Sequence, residues 1–324
     1  MALGATGTIG QATVRALVAC GHDVTCFIRP KTGIGGAITA DGAADLLTGA
    51  TLRFGDVTDA ASLKTDGFQG ETFDVLVSCL ASRTGAPKDA WAIDHDAHVT
   101  ALAAARESGV SHMVLLSAIC VQKPRLEFQK AKLAFEDKLK ASGLTYSIVR
   151  PTAFFKSLSG QVERVKAGKP FLVFGNGELT ACKPISDDEL GRYIAECLRD
   201  ETRHNQTLPI GGPGEAITPK AQGEHLFALL GREPRFSHMP VAFMDVIIGA
   251  LSALGVVVPS LAEKAALARI GRYYGTESML VLNPETGEYD ADLTPSTGTE
   301  TLFDYYARLI EGEAVAERGD HAVF

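Results

Sequence analysis

Gly4, Gly7 and Gly10 stand three residues apart at the head of the chain. Before them is the apolar Met1-Ala2-Leu3; after them Ala12, Val14, Leu17 and Val18 recur at helical spacing. Beyond Gly21-His22, the run Val24, Cys26, Phe27 and Ile28 reads as a strand. A strand, a glycine turn, a helix and a second strand in this order constrain the fold more than any other feature. Glycine lets the backbone turn tightly and approach a pyrophosphate, and the helix start aims its free N–H groups at the phosphates. Gly4, Thr6, Gly7, Thr8, Ile9 and Gly10 are therefore candidate cofactor contacts. The bland alternative is a glycine-rich helix start in an unrelated sheet protein, and the elements on both sides weigh against it. Only three residues precede Gly4, fewer than the usual 5–6 of a strand, so either this strand is short or the native start lies upstream.

The end of the second strand selects the nucleotide. NAD-preferring sites place an acid there for the ribose 2′-hydroxyl. This chain has Arg29-Pro30-Lys31 instead. Arg29 and Lys31 suit a 2′-phosphate, which favours NADPH; the competing reading is two solvated surface cations. Asp56, after the short strand ending at Gly55, is placed to accept from the adenine amino group. Val57 follows it, and Asp59 looks like a helix cap. The apolar stretch Phe73 to Leu80 reads as a buried parallel strand, with Leu80 and Ala81 at its end as further candidate contacts. A helix from about Lys88 to Ser108, a strand His112 to Ser117, a helix from about Glu127 to Ser142 and a strand Tyr146 to Val149 complete the alternation. The expected fold is α/β: a Rossmann-type doubly wound parallel sheet with a smaller C-terminal α/β substrate-binding region. Residues 1–155 are expected to hold NADP(H), 156–310 mainly to hold substrate with some segments returning to the sheet, and 311–324 to form a mobile tail.

Composition excludes other classes. Hydrophobic residues are 46% and charged residues 22% of 324, too apolar for disorder. Net charge is −8 with no long basic run, so nucleic acid is a poor partner. The six cysteines form no close pair, which fits reduced and mostly buried thiols. No signal or transit peptide is legible at the start, which leads to a cytoplasmic expectation.

Gly4 to Gly10, Gly55-Asp56-Val57 and Leu115-Leu116-Ser117 resemble the atypical and extended short-chain dehydrogenase/reductases. That superfamily usually carries Tyr-x-x-x-Lys on the helix after the fifth strand. Here the segment is Phe128-Gln129-Lys130-Ala131-Lys132: the lysine stands and the tyrosine does not. Phenylalanine cannot hand a proton to a carbonyl oxygen, so ketone reduction is disfavoured. The resemblance implies that Lys132 holds the nicotinamide ribose and is the candidate catalytic residue. It also places Pro151, Thr152 and Phe154 beside the nicotinamide.

Three further stretches narrow the resemblance: Ala118 to Pro124, Leu208 to Glu215 with Leu229 to Pro234, and Arg269 to Leu280 running on to Pro295-Ser296-Thr297-Gly298. They are similar to the divinyl chlorophyllide a 8-vinyl-reductase family of chlorophyll and bacteriochlorophyll synthesis. The resemblance implies hydride transfer from NADPH to a vinyl group of a magnesium tetrapyrrole. Charge left on such a conjugated ring is delocalised, so orientation matters more than a strong acid. Two other classes stay open: an isoflavone or phenylpropanoid type of NADPH reductase, which also has the lysine without the tyrosine, and a non-catalytic NADP-sensing or assembly protein.

The run Val241 to Val258, charged only at Asp245, is 18 residues long and broken by Gly249 and Gly255. It is short of the roughly 20 residues of a membrane span. A buried helix of the substrate region is the first expectation, and contact with substrate or a photosynthetic membrane surface the second. His95 and His98 lie in a predicted helix with no third ligand, so a helix-surface reading is favoured and no protein metal site is expected; the magnesium belongs to the substrate. Ser117 reads as a structural strand-end residue at least as well as a catalytic one. Arg272 and Lys156 are candidates to meet the substrate propionate.

Overall fold

A computed structural model describes residues 1–31 and 39–314. Seven strands form one sheet in the order β3-β2-β1-β4-β5-β6-β8. They are β1 (Ala2–Leu3), β2 (Thr25–Ile28), β3 (Thr51–Phe54), β4 (Val75–Ser78), β5 (His112–Leu116), β6 (Thr145–Pro151) and β8 (Gln206–Ile210). The order reverses direction at β1, as the strand–helix alternation requires of a doubly wound sheet. β1 is central yet only two residues long. It is held from both sides, Leu3 being in register with Phe27 of β2 and with Ser78 of β4. Met1 extends the ladder, its carbonyl accepting from the Val77 N–H at 2.9 Å and its amino group donating to the Val75 carbonyl at 2.8 Å.

Apolar residues of both periodicities close the core over this sheet. Leu3, Phe27, Leu76, Met113 and Ile148 come from strands, and Leu102, Phe135 and Leu139 from the helices α2 (His98–Glu107) and α3 (Glu127–Lys140). Helix α1 (Thr8–Ala19) follows the glycine turn, and α4 (Asp187–Glu196) packs on it. Gly191 of α4 makes that approach possible: a Cβ there would lie 2.6 Å from the Ala12 carbonyl carbon. Asp59 caps the next short helix by accepting from the Ala61 N–H at 2.9 Å, as expected.

The chain divides into two compact units. The first takes Met1–Arg83, Pro87–Pro151 and Asp187–Pro209; the second takes Thr84–Ala86, Thr152–Ser186 and the chain from Ile210 onward. In the second unit, β7 (Phe171–Phe174) pairs in parallel with β9 (Phe236–Met239). Around them pack Phe155, Val162 and Val165, Leu226 and Phe227 of α5 (Pro219–Leu229), and Leu302, Tyr306 and Leu309 of α8 (Leu302–Glu311). Between these elements runs a helical hairpin of α6 (Val241–Gly255) and α7 (Pro259–Thr276). Gly255 permits its tight turn, since a Cβ there would meet the Ala262 backbone N at 2.8 Å. Helix α8 carries the chain to Glu311, so the first residue of the expected tail is helical, and residues 315–324 lie outside the described residues. None of the six cysteines forms a disulfide, and four of them are buried.

Candidate functional site

The glycine turn connects β1 to α1. Gly4 has φ +70, and a Cβ there would lie 2.5–2.6 Å from the Cys79 carbonyl and the Leu80 N. At Gly10 a Cβ would lie 2.1 Å from the Gly4 carbonyl oxygen. Both glycines are therefore demanded by the fold itself. Gly7 is different: it is exposed, its φ is −74, and its Cβ would meet only the Gly4 oxygen at an ordinary 3.5 Å. Gly7 is the N-cap of α1, with no side chain capping the helix and no acid in its first turn. An open, uncapped, glycine-lined helix start fits a pyrophosphate by both shape and charge.

Arg29 and Lys31 follow β2 and are exposed at the same carboxyl edge of the sheet as Gly4. Residues 32–38, next in the chain, lie outside the described residues. Asp56 is also exposed beyond β3. Its Oδ1 accepts from the Thr58 hydroxyl at 2.7 Å and the Thr58 N–H at 2.9 Å. These bonds, with a smaller contribution from the Arg29 charge, hold the carboxyl below its usual pKa range. Val57 is half-buried beside it, and Leu80 and Ala81 continue past β4, Leu80 against Gly4. The register of β1, β2, β3 and β4 thus gathers the glycine turn, Arg29, Asp56 and Leu80 along one edge.

Lys132 projects from α3, with its side chain 11% exposed, and its Nζ stands 3.0 Å from Oδ1 of a fully buried Asp94. Asp94 was not among the sequence candidates. The same oxygen accepts from the Ser82 N–H at 3.2 Å, in the loop after β4. His98, one helical turn beyond Asp94, corrects the helix-surface expectation: it is 1% exposed. Its Nδ1–H donates to the Ile93 carbonyl at 2.9 Å, so Nε2 is the acceptor facing the Ser78 hydroxyl at 2.8 Å. Burial, reinforced by the Lys132 charge, pulls the His98 pKa down to about 4, keeping the ring neutral. The expected helix from Lys88 is a sequence of pieces, with a π-helical turn over Trp91–Ala97 that turns Asp94 and His98 inward. His95 remains partly exposed, beside Asp96. Ser117 donates to Glu136 at 2.6 Å, and Glu136 also pairs with Arg150, so Ser117 is tied to a buried structural ion pair.

A protein-family profile described as NAD(P)H-binding matches residues 4–201. Divinyl chlorophyllide a 8-vinyl-reductase of Cucumis sativus is 53% identical over 331 residues, covering 100% of this chain and 79% of that protein. The protein of the same name from Oryza sativa subsp. indica is 51% identical, covering 99% of this chain and 81% of its own length. The chain belongs to the 8-vinyl-reductase family. Among solved structures, an NADPH-dependent quinone oxidoreductase of Escherichia coli in complex with NADPH superposes with a TM-score of 0.65 at 17% identity, covering 95% of this chain and 99% of that one. That likeness is one of fold.

In this member of the 8-vinyl-reductase family, Pro151 ends β6 in the first unit, while Thr152 and Phe154 open the second. Thr152 is tied to its own unit: its hydroxyl donates to the Lys183 carbonyl, and its N–H donates to the Ile210 carbonyl at 2.9 Å. Phe154 is half-buried and bridges to Ile185. Arg272 forms a two-pronged pair with Asp245, which fastens α7 to α6. Lys156 is partly exposed in the second unit. The expectation of a buried helix over Val241 to Val258 is overturned. No residue of α6 is buried, and Phe243 (55%), Val246 (68%), Val256 (86%) and Val257 (83%) face outward. Its main packing partner is α7, and the rest of the helix is half-buried or exposed. No helix among the described residues is long and apolar enough to cross a membrane.

Proposed function

We propose that this chain reduces the 8-vinyl group of divinyl chlorophyllide a to an ethyl group with NADPH. The observation that carries this reading is 53% identity over the whole chain to a protein of that name. NADPH supplies the hydride, and one proton completes the addition across the double bond. The Gly4, Thr6, Gly7, Thr8, Ile9 and Gly10 turn holds the pyrophosphate. Arg29 and Lys31 meet the 2′-phosphate, Asp56 meets the adenine amino group, and Val57, Leu80, Ala81 and Pro151 complete the bed. Lys132 is the catalytic residue in this reading: it fixes the nicotinamide ribose. Phe128, where the wider superfamily has its tyrosine, offers no hydroxyl, which suits a carbon–carbon double bond better than a ketone. Anaerobic incubation with NADPH and divinyl chlorophyllide a is the test. A product heavier by two hydrogens supports the reading. Unchanged substrate with intact NADPH binding would favour the NADP-sensing or assembly alternative.

The exposed apolar face of α6 extends the proposal to a peripheral membrane contact, because an uncharged hairpin tip can enter the headgroup boundary without spanning. Both plant relatives are named as chloroplastic, so the cytoplasmic expectation draws no support from them.

A further inference from the structure

We propose that Asp94 is the positioning residue of this site: its carboxylate ties Lys132 and the loop Leu80 to Ser82 into one fixed arrangement. The inference rests on the reading of Lys132 given above. A buried carboxylate is costly unless its charge is paired and its lone pairs are satisfied. Asp94 is paired on one side only. Oδ1 holds Lys132 Nζ at 3.0 Å and the Ser82 N–H at 3.2 Å, while the buried Oδ2 has no hydrogen-bond partner among the described residues. The π-helical turn at Trp91–Ala97 supports a functional origin, since such insertions cost helix regularity and are frequent at functional sites. An ammonium carries three donors, so the ion pair with Asp94 sets the position of Lys132 and leaves it donors for a ligand.

His98 completes the arrangement without competing for the lysine. Its ring, neutral and packed on Phe135 with centroids 4.7 Å apart, holds the Ser78 hydroxyl, and Ser78 in turn accepts from the Leu80 N–H at 3.4 Å. The loop after β4 is thus anchored at Leu80 by Ser78 and at Ser82 by Asp94.

The chain's single tryptophan, Trp91, lies three residues before Asp94, and titrating its fluorescence with NADPH is to measure binding independently of turnover. Asp94→Asn keeps the size and the Oδ1 acceptor and removes the charge. It is expected to weaken NADPH binding about tenfold and to lower kcat by about 10- to 100-fold, leaving KM for the tetrapyrrole within about twofold. Lys132→Gln is expected to show the same losses. The double variant Asp94→Asn/Lys132→Gln should lose no more than Lys132→Gln alone, because Asp94 acts through the lysine. That double variant has no unpaired buried charge, so it decides the matter even where Asp94→Asn alone fails to fold. Near wild-type binding and kcat in Asp94→Asn, beside an impaired Lys132→Gln, would overturn the role of Asp94 alone. So would a double variant about tenfold or more below Lys132→Gln. A wild-type Lys132→Gln would instead remove the reading of Lys132, and Asp94 with it.

Discussion

Substituting alanine at Gly7 and at Gly10 separates what the fold requires from what a ligand requires. At Gly10 the new Cβ would sit 2.1 Å from the Gly4 oxygen and 2.9 Å from the Ala5 Cα, both backbone atoms that cannot swing aside. Overpacking of this kind costs about 1–3 kcal/mol or more. At roughly 2–4 °C per kcal/mol for units of this size, the unfolding midpoint should fall by several degrees. At Gly7 the Cβ meets only ordinary contact at 3.5 Å, and φ −74 is open to any residue. Stability should change by about 1 kcal/mol at most, the difference between glycine and alanine at a helix N-cap. Yet the methyl group would stand where a phosphate must approach the N–H groups of α1. Loss of that approach should weaken NADPH by about 10- to 100-fold, or about 1.4–2.8 kcal/mol. Circular dichroism melts and titration of Trp91 fluorescence with NADPH measure the two quantities separately. A Gly7→Ala protein that binds NADPH within about twofold of wild type would sink the phosphate-cradle reasoning, whatever its melting point. An unshifted midpoint in Gly10→Ala would show that the turn relaxes more easily than its geometry implies.

Three further outcomes are expected. Arg29→Ser and Lys31→Ser should each reduce the preference for NADPH over NADH by about tenfold through loss of charge-assisted bonds to the 2′-phosphate; an unchanged ratio of the two dissociation constants would reassign these cations to solvent. His98 and His112 are both held by burial near pKa 4, against 6.5 in the unfolded chain. The unfolded state therefore binds the extra protons, so their contribution is complete above about pH 6.5 and is lost as pH falls towards 4. Each should remove about 2 kcal/mol between pH 7 and pH 5, and urea unfolding of His112→Gln should show a correspondingly smaller pH dependence. On the α6–α7 hairpin, Phe243→Ser/Val257→Ser should abolish flotation with lipid vesicles and leave NADPH binding unchanged, and equal flotation of variant and wild type would exclude this face as the contact.

What the sequence discloses here is what local rules determine. The glycine turn, Arg29-Pro30-Lys31 and the alternation of apolar strands with helices each depend on residues a few positions apart, and the structure realises them nearly in place. Asp94 was illegible because two things had to be known together. Its partner Lys132 is on another helix, and the π-helical turn shifts the inward face by about a residue relative to a regular helix. Read at a period of 3.6, Asp94-His95-Asp96 looks like a solvated face, and His98 goes with it. The α6 run failed for the opposite reason. Apolar composition says that surface must be covered, but not by what, and the described chain leaves Phe243, Val246 and Leu254 of this helix exposed. Both failures have the same physical form: a buried charge with an oxygen left unpartnered, and an apolar helix left outward. Folding alone selects against each of them, so a compensating demand must retain them, and binding is the demand that meets both. On the readings proposed above, a carboxylate that orders Lys132 and an apolar tip that meets a hydrophobic surface are the forms this demand takes in a chain that handles a charged nucleotide and a largely apolar macrocycle.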